Sequence, residues 1–509
     1  MIARTHSSIL SGIDARVCEV EVDVAKGGLG DFKLVGLADA AVKESISRIQ
    51  SAVRNCGYRW PGPAVTVNLA PADVRKDSAA LDLPIAVAAL LAGEAFSSEC
   101  SEEYLLLGEL ALDGRVRPVR GALAAAMLAK KLGKRGILLP TDNAPEAAVV
   151  EAIDVIPIRF LSDAIGVLSG ELPLEPCGID LNTTFQEHSN YDVDFSDVRG
   201  QETAKRALVI TAAGHHNLLM IGPPGSGKSM LAKRIPTILP PLSIDESLET
   251  TRIYSARGLL APGESLMARR PVRTPHHSSS SAALIGGGII PQPGEISLAH
   301  HGVLFLDEFP EFARPTLEMV RQPLEDGSVT IPRVHSTMKF PASIMLVAAM
   351  NPCPCGYYTD PKRKCKCTSN QVRGYLARIS GPLVDRIDIH VEVPPVPWKQ
   401  LRGEATGLSS EEMRADVLRV RAIQRERFGP DTTTTNAKMS PAEVRKYCPL
   451  DAMGESVLLQ AITELGLSAR AHDKILRIAR TIADMAAKAD IEPQHIAEAI
   501  QYRRLDREL

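Results

Sequence analysis

Leu218-Leu219-Met220-Ile221-Gly222-Pro223-Pro224-Gly225-Ser226-Gly227-Lys228-Ser229 is the stretch whose reading decides the rest of the chain. Four apolar residues, too few for a helix, run straight into a Gly-x-x-x-x-Gly-Lys-Ser pattern. Glycines at these positions let backbone N–H groups close around a chain of phosphates. Lys228 then reaches the β/γ-phosphates, and the Ser229 hydroxyl is a ligand for Mg²⁺. Met230-Leu231-Ala232-Lys233-Arg234 begin a helix whose N-terminal dipole adds to the attraction for an anion. Strand, glycine-rich turn and helix in that order are a P-loop. Its expected nucleotide contacts are Gly222, Pro223, Pro224, Gly225, Ser226, Gly227, Lys228 and Ser229.

A second stretch supplies the acids. Val303-Leu304-Phe305-Leu306-Asp307-Glu308 reads as a buried strand ending in two carboxylates. Asp307 would hold Mg²⁺ through water, and Glu308 would polarise the attacking water. A third apolar run, Ile344-Met345-Leu346-Val347-Ala348-Ala349-Met350, ends at Asn351, a polar side chain at a strand tip. Lys228 and Asp307 stand 79 positions apart, more than a compact P-loop core needs. The excess holds Arg269 to Ser278 and Gly286 to Glu295, read as an inserted loop or hairpin rather than core. His276 and His277 within it lack the neighbouring carboxylates or cysteines in sequence that a metal site would want.

Cys353-Pro354-Cys355 and Cys365-Lys366-Cys367 form two Cys-x-Cys pairs. Four thiolates suit a tetrahedral structural Zn²⁺, although the spacing departs from the commoner Cys-x2-Cys knuckle. Lys362, Arg363, Lys364, Lys366, Arg373 and Arg378 surround them against Asp360 alone, a basic loop suited to phosphate backbones. Gly327 to Phe340 reads as a hairpin, with Arg333, His335 and Lys339 on one side by parity.

The bulk numbers bound the partners. The 509 residues imply about three domains at ~150 residues each. The net charge of −3 excludes a uniformly basic DNA-coating protein, so any nucleic-acid surface is local. Aromatics make up 4%, too few for base stacking to dominate such contacts. No apolar segment is long enough for a membrane span, and no signal peptide is visible. Nine cysteines in such a chain point to a reducing cytoplasm.

Residues 1–170 alternate strand and helix patterns, among them Val17 to Val24, Val65 to Leu69 and Gly136 to Pro140, and read as one α/β domain. Residues 171–192 lose periodicity and form a linker; residues 193–400 hold the P-loop core; residues 401–509 are all-helical, with Ile475, Ile478, Ala479, Ile482 and Met485 as a core stripe. The first block resembles the Lon-protease-type domain, through Arg75-Lys76-Asp77-Ser78-Ala79-Ala80-Leu81-Asp82-Leu83-Pro84 and Leu107-Gly108-Glu109-Leu110-Ala111-Leu112-Asp113-Gly114-Arg115-Val116. Catalytic members use a Ser/Lys dyad. Here the serine slot falls near Ala80 and the lysine slot within Gly121-Ala122-Leu123-Ala124-Ala125, so the domain is expected to be non-catalytic, with Ser78 lacking a placed base.

The set from Gly222 onwards resembles the Mg-chelatase-like AAA+ ATPases of bacteria, and with the Lon-like head the likeness is to their competence-type (YifB/ComM) branch. The resemblance implies an α/β AAA+ core of the helix-2-insert clade with a C-terminal all-helical lid. It makes Asn351 the first sensor and the insert between Lys228 and Asp307 a pore-facing element. In Ser380-Gly381-Pro382-Leu383-Val384-Asp385-Arg386-Ile387-Asp388 it makes Arg386 an arginine finger reaching a neighbouring subunit's ATP, and in Leu467-Ser468-Ala469-Arg470-Ala471 it makes Arg470 the second sensor. It further implies ATP and Mg²⁺ as cofactors and a homo-hexameric ring that moves branched or single-stranded DNA, with branch migration during recombination of incoming DNA. A magnesium-chelatase motor subunit and a protein-remodelling chaperone are the competing expectations. Fold alone does not choose among them.

Overall fold

Alternation along Asp14–Val24 puts Cys18, Val20, Val22 and Val24 on one buried face, as a half-buried strand requires. The strand pairs antiparallel with Ile2–Ser11 on one side and Val65–Ala70 on the other. Ile2–Ser11 escapes sequence reading because its inward positions are hydroxyl residues. Thr5 and Ser7 are buried, and their Oγ atoms donate to the carbonyls of Pro84 (3.1 Å) and Leu106 (2.8 Å), which satisfies each without water. Parallel strands Tyr104–Leu106, Gly136–Pro140 and Asp154–Ile158 extend the sheet to seven, with Lys33–Val35 at the far edge. Asp82–Ala92 is apolar around most of its circumference and is buried accordingly.

The computed structural model describes residues 1–25, 32–62, 64–74, 76, 79–181, 185, 191–261, 263–288, 291–332, 337–358, 360, 363–397, 407–429, 433–465 and 468–503. It divides into two units, Met1–His188 with Ser243–Ala268, and Ser189–Leu242 with Arg269–Leu509. Helix Ile244–Arg257 thus packs with the first unit although it lies inside the 193–400 segment of the sequence. A capping box starts it: Ser243 Oγ accepts from Glu246 N, and the Glu246 carboxylate accepts from Ser243 N, both at 3.1 Å. Ala80, near which the Lon-type serine was expected, is buried, and helix Ala122–Lys131, over the expected lysine slot, buries Ala122, Leu123, Ala124 and Ala125. Ser78 lies outside the described residues.

In the second unit five parallel strands run in the order Val272–Arg273, Val303–Leu306, Met345–Met350, Leu218–Ile221, Ile389–Glu392. The three middle strands are buried at every position, which is why they read as unbroken apolar runs. Met345–Met350 lies between the P-loop strand and the acid-tipped strand, so Gly222, Asp307 and Asn351 all leave the same carboxyl edge. That edge is where open α/β sheets bind ligands.

The expectation that residues 269–295 lie outside the core needs correction. Val272–Arg273 pairs with Val303 and Leu304 as the sheet's edge strand, and Leu284 is buried. A two-residue strand is too short to show periodicity. A small hairpin, Gly286–Gly287 with Gln292–Pro293, does occupy part of the segment.

The C-terminal region is helical: Ser410–Phe428, Pro441–Tyr447, Ala452–Leu465, Ala469–Met485 and Pro493–Gln501. Ile475, Ile478, Ala479 and Ile482 join one apolar cluster with Leu208, Leu231 and Ile235 of the P-loop side. Ala452–Leu465 passes unnoticed in the sequence because Met453 and Leu459, each 66% exposed, blur its apolar face. Among the described residues no helix is long and apolar enough to cross a membrane.

Candidate active site

Gly225 (φ 76°) and Gly227 (φ 96°) take the left-handed backbone that the loop requires, and a Cβ on Gly222 would stand 2.2 Å from the Val393 carbonyl oxygen. The backbone therefore turns tightly enough to bring Lys228 over its own loop. Lys228 is buried, and its Nζ donates to the carbonyls of Gly222 (2.7 Å) and Pro223 (3.1 Å) and to Asn351 Oδ1 (3.3 Å). Burial pulls its pKa down, opposed by the Asp307 carboxylate. Ser229 Oγ donates to Asp307 Oδ2 at 2.6 Å, and Asp307 Oδ1 accepts from Glu308 N at 2.9 Å.

Loop residues 224–230, with Asp307, Glu308, Met350 and Asn351, line a cavity of about 340 Å³. Ser226 Oγ is buried there without a hydrogen-bond partner, and Lys228 satisfies itself on loop carbonyls. An orphaned hydroxyl, an ammonium resting on loop carbonyls, and a Ser–Asp pair at 2.6 Å fit a nucleoside triphosphate with Mg²⁺.

Glu308 sits at φ 49°, unusual outside glycine, and its carboxylate meets His277 Nδ1 at 2.8 Å. His277 follows the edge strand beside the acid-tipped strand, which brings it to the second carboxylate. Neither His276 nor His277 belongs to a metal-competent cluster among the described residues. Sequence reasoning weighed His277 only as a metal ligand and missed its pairing with Glu308. Its only signal would have been the placement of Val272–Arg273 in the sheet.

Arg386 and Arg470 do not line this cavity. The Arg386 guanidinium donates to the Pro382 carbonyl (2.6 Å) and pairs with Glu325, and Arg470, 71% exposed, pairs with Asp385 at 3.3 Å. The two arginines thus stand at one place, joined through adjacent residues. Asn217, which precedes the P-loop strand, ties that place to the sheet. Its Nδ2 donates to the Arg386 carbonyl (3.1 Å) and its Oδ1 accepts from Leu346 N (2.9 Å). Asp388 accepts from Asn217 N at 3.0 Å and pairs with Lys474 of helix Ala469–Met485 at 3.1 Å. Against the cost of burial, Lys474, His216 and the Asn217 N–H hold the Asp388 carboxyl far below the usual range.

The four clustered cysteines come together. Sγ–Sγ separations are 3.4 Å (Cys353–Cys355), 3.7 Å (Cys353–Cys365) and 3.6 Å (Cys355–Cys365), and all four ligand atoms, Cys367 included, lie within 4.8 Å of one another. A disulfide would need ~2.05 Å. Four thiolates ~2.3 Å from one Zn²⁺ would stand ~3.8 Å apart, close to what is found. The N–H groups of Lys366 and Tyr357 hold the Cys355 thiol down to about 6, while the thiols of Cys365 and Cys367 beside it are raised. Gly356 in the same loop approaches the P-loop so closely that a Cβ would lie 2.5 Å from Pro224 Cδ.

Comparison with known proteins places these features. Residues 20–143 match the family described as subunit ChlI of Mg-chelatase, residues 194–401 magnesium chelatase, subunit ChlI, and residues 407–503 the C-terminal part of that subunit. The uncharacterized protein YifB of Escherichia coli is 42% identical over 99% of this chain and 97% of its own length. The chain belongs to the YifB/ComM family of Mg-chelatase-like AAA+ ATPases. Competence protein ComM of Haemophilus influenzae is 41% identical over 99% of this chain and 98% of its own. A magnesium-chelatase 67 kDa subunit of Chlorobaculum parvum is more distant, at 26% over 45% of this chain and 32% of its own.

In this YifB/ComM-family chain the basic surfaces are partly in view. The hairpin Ser328–Pro332 with Thr337–Pro341 carries exposed Lys339 opposite Thr330, while Arg333 and His335 lie outside the described residues. Arg363, Lys364 and Lys366 of the cysteine loop are exposed, Arg378 is drawn to Glu311 at 2.6 Å, and Lys362 lies outside the described residues.

Proposed function

We propose that the chain is the subunit of a closed homo-hexameric ring that hydrolyses ATP to move DNA, promoting branch migration in the recombination of incoming DNA. The observation that carries the hydrolytic half is the meeting of Lys228, Ser229, Asp307, Glu308 and Asn351 around one cavity. Mg²⁺, when bound, would neutralise charge on the transferring phosphoryl group. Ser229 and Asp307, already 2.6 Å apart, are the pair to hold it. Lys228 would exchange loop carbonyls for phosphate oxygens, and Asn351, 3.3 Å from it, would orient the reacting end. Glu308 would accept the proton of the attacking water once His277 releases its carboxylate. Arg386, outside the cavity of its own chain, would complete the site of a neighbour, which requires a head-to-tail interface that closes. Arg470 stands beside it and would act at the same interface.

The DNA half rests on end-to-end likeness to a protein named for competence and on the exposed basic loop at Arg363, Lys364 and Lys366. The chelatase reading has the family models over residues 20–143, 194–401 and 407–503 behind it, but the magnesium-chelatase subunit compared matches less than half of the chain, at 26%. Binding of the full-length protein to a branched DNA, followed as salt is raised, tests the choice. Phosphate contacts release counterions, so about six such contacts would weaken binding by ~10³ between 50 and 200 mM salt. A flat response, or turnover stimulated by a tetrapyrrole system and not by DNA, would contradict the motor.

Zn²⁺ on Cys353, Cys355, Cys365 and Cys367 would pin the basic loop against the P-loop at Gly356 and Pro224. Metal analysis should find about one zinc per parent chain and none in Cys353→Ser/Cys365→Ser protein, because two thiolates cannot replace four. Zinc absent from the parent, or retained by the variant, ends this assignment.

A further inference from the structure

A second hollow, far from the chemistry in sequence, lies in the first unit at the end of helix Ala40–Asn55. Gly57, at φ 84°, stops the helix: its N–H donates to the Arg54 carbonyl (3.0 Å) and the Tyr58 N–H to the Val53 carbonyl (3.1 Å). The chain that emerges is Tyr58-Arg59-Trp60, aromatic and basic side chains in alternation. Tyr58 and Trp60 are half-buried, with one side packed on the apolar cluster of the unit, while Arg54 and Arg59 are exposed. Together with Gln50 and two glycines they line a hollow of about 680 Å³.

Three features separate this hollow from an ordinary core rim. Neither Arg54 nor Arg59 has a carboxylate partner among the described residues, so two guanidinium groups stand uncompensated at its edge. Its glycines, Gly57 and Gly62 (φ 126°), face open space, since a Cβ on either would meet nothing within 4 Å. Trp60 is one of only two tryptophans in a chain with 4% aromatics, and it shares the hollow with a tyrosine. Two aromatic rings and two arginines without carboxylate partners in one hollow match what single-stranded nucleic acid offers: a π-face on every base and a phosphate between successive bases. Duplex DNA hides its base faces in the stack and offers this site phosphates alone.

We propose that the hollow of Arg54, Tyr58, Arg59 and Trp60 is a stacking site for single-stranded DNA, indifferent to sequence. It rests on the DNA-motor reading, for which it supplies a grip on an unpaired strand outside the ATPase unit. Ring stacking and phosphate pairing are available to every base, so sequence preference at the site is weak.

The test uses full-length protein carrying Trp398→Phe, which leaves Trp60 as the single tryptophan. Oligothymidylate should quench its fluorescence saturably. Trp60→Ala and the doubly substituted Arg54→Glu/Arg59→Glu protein should each bind oligothymidylate about tenfold or more weakly, and Trp60→Phe should retain most of the affinity. DNA-free ATP turnover should stay unchanged in all of them. The arginines are exposed, so the double variant reports on binding without disturbing the core. Binding of oligothymidylate without quenching, with affinity unaltered in the arginine variant, overturns the proposal. Equal quenching by thymidine monophosphate overturns it in favour of a free-nucleotide pocket. The two readings fail separately: stimulation of turnover by DNA without quenching removes the stacking site alone, while quenching without stimulation removes the motor.

Discussion

Lys228→Ala protein is expected to lose ATP turnover by at least about 10²–10³, the range found when one preorganised donor to a transition-state oxyanion is removed. The reason lies in what surrounds the ammonium. Lys228 Nζ hangs on the carbonyls of Gly222 and Pro223 and on Asn351 Oδ1, all weak partners for a cation, and burial already lowers its pKa. The charge is buried at the wall of the cavity, where attraction to phosphate is stronger than in open water. Alanine removes that charge and leaves the Ser229–Asp307 pair in place, so the fold should survive. Turnover measured alongside thermal unfolding checks both statements. Activity within a few-fold of the parent would mean that the cavity at 222–229 is not the hydrolytic site.

Arg386→Ala is expected to lower turnover by about 10³ or more, as arginine fingers do, while nucleotide binding persists. Its distinguishing property appears in mixtures. Lys228→Ala subunits keep a finger and lack a working P-loop; Arg386→Ala subunits keep the P-loop and lack the finger. If the finger acts across an interface, about a quarter of the interfaces in a randomly mixed closed ring carry both intact halves, and turnover returns. If Arg386 served its own chain, no site in the mixture would be whole and turnover would stay at the level of the separate variants. The ion pair with Glu325 and the bond to the Pro382 carbonyl hold the guanidinium in place within the chain, so a finger acting across an interface would have to be released by Glu325. Arg470, which pairs with Asp385 and is 71% exposed, stands beside it.

The parts of this molecule that could be read without coordinates are those where one local rule dominates. Leu218–Ile221, Val303–Leu306 and Met345–Met350 are buried on both faces, so they announce themselves as apolar runs, and the residues at their tips follow directly. The cysteines could be grouped because thiolate chemistry limits what two close pairs can do. Strand order was not readable, since it depends on crossovers rather than on any window of residues. The edge strand Val272–Arg273 was missed for its length, and with it the contact of His277 with Glu308. Ile2–Ser11 was missed because buried hydroxyls bonded to carbonyls look like surface residues in a sequence. Two residues that carry the basic hairpin, Arg333 and His335, remain known by parity alone.

The account turns on a coupling: the cavity around Lys228 and Glu308 is held to drive movement of DNA. The same sheet edge carries Asn351, and two residues later the cysteine loop begins, whose Gly356 packs on Pro224. A change at the phosphates therefore has a short path to the exposed Arg363, Lys364 and Lys366. The direct measurement is steady-state ATP turnover of the full-length protein with and without a branched DNA. The account predicts that the DNA raises turnover in the parent and leaves Lys228→Ala protein inactive; turnover in the parent that is the same with and without the DNA would contradict it.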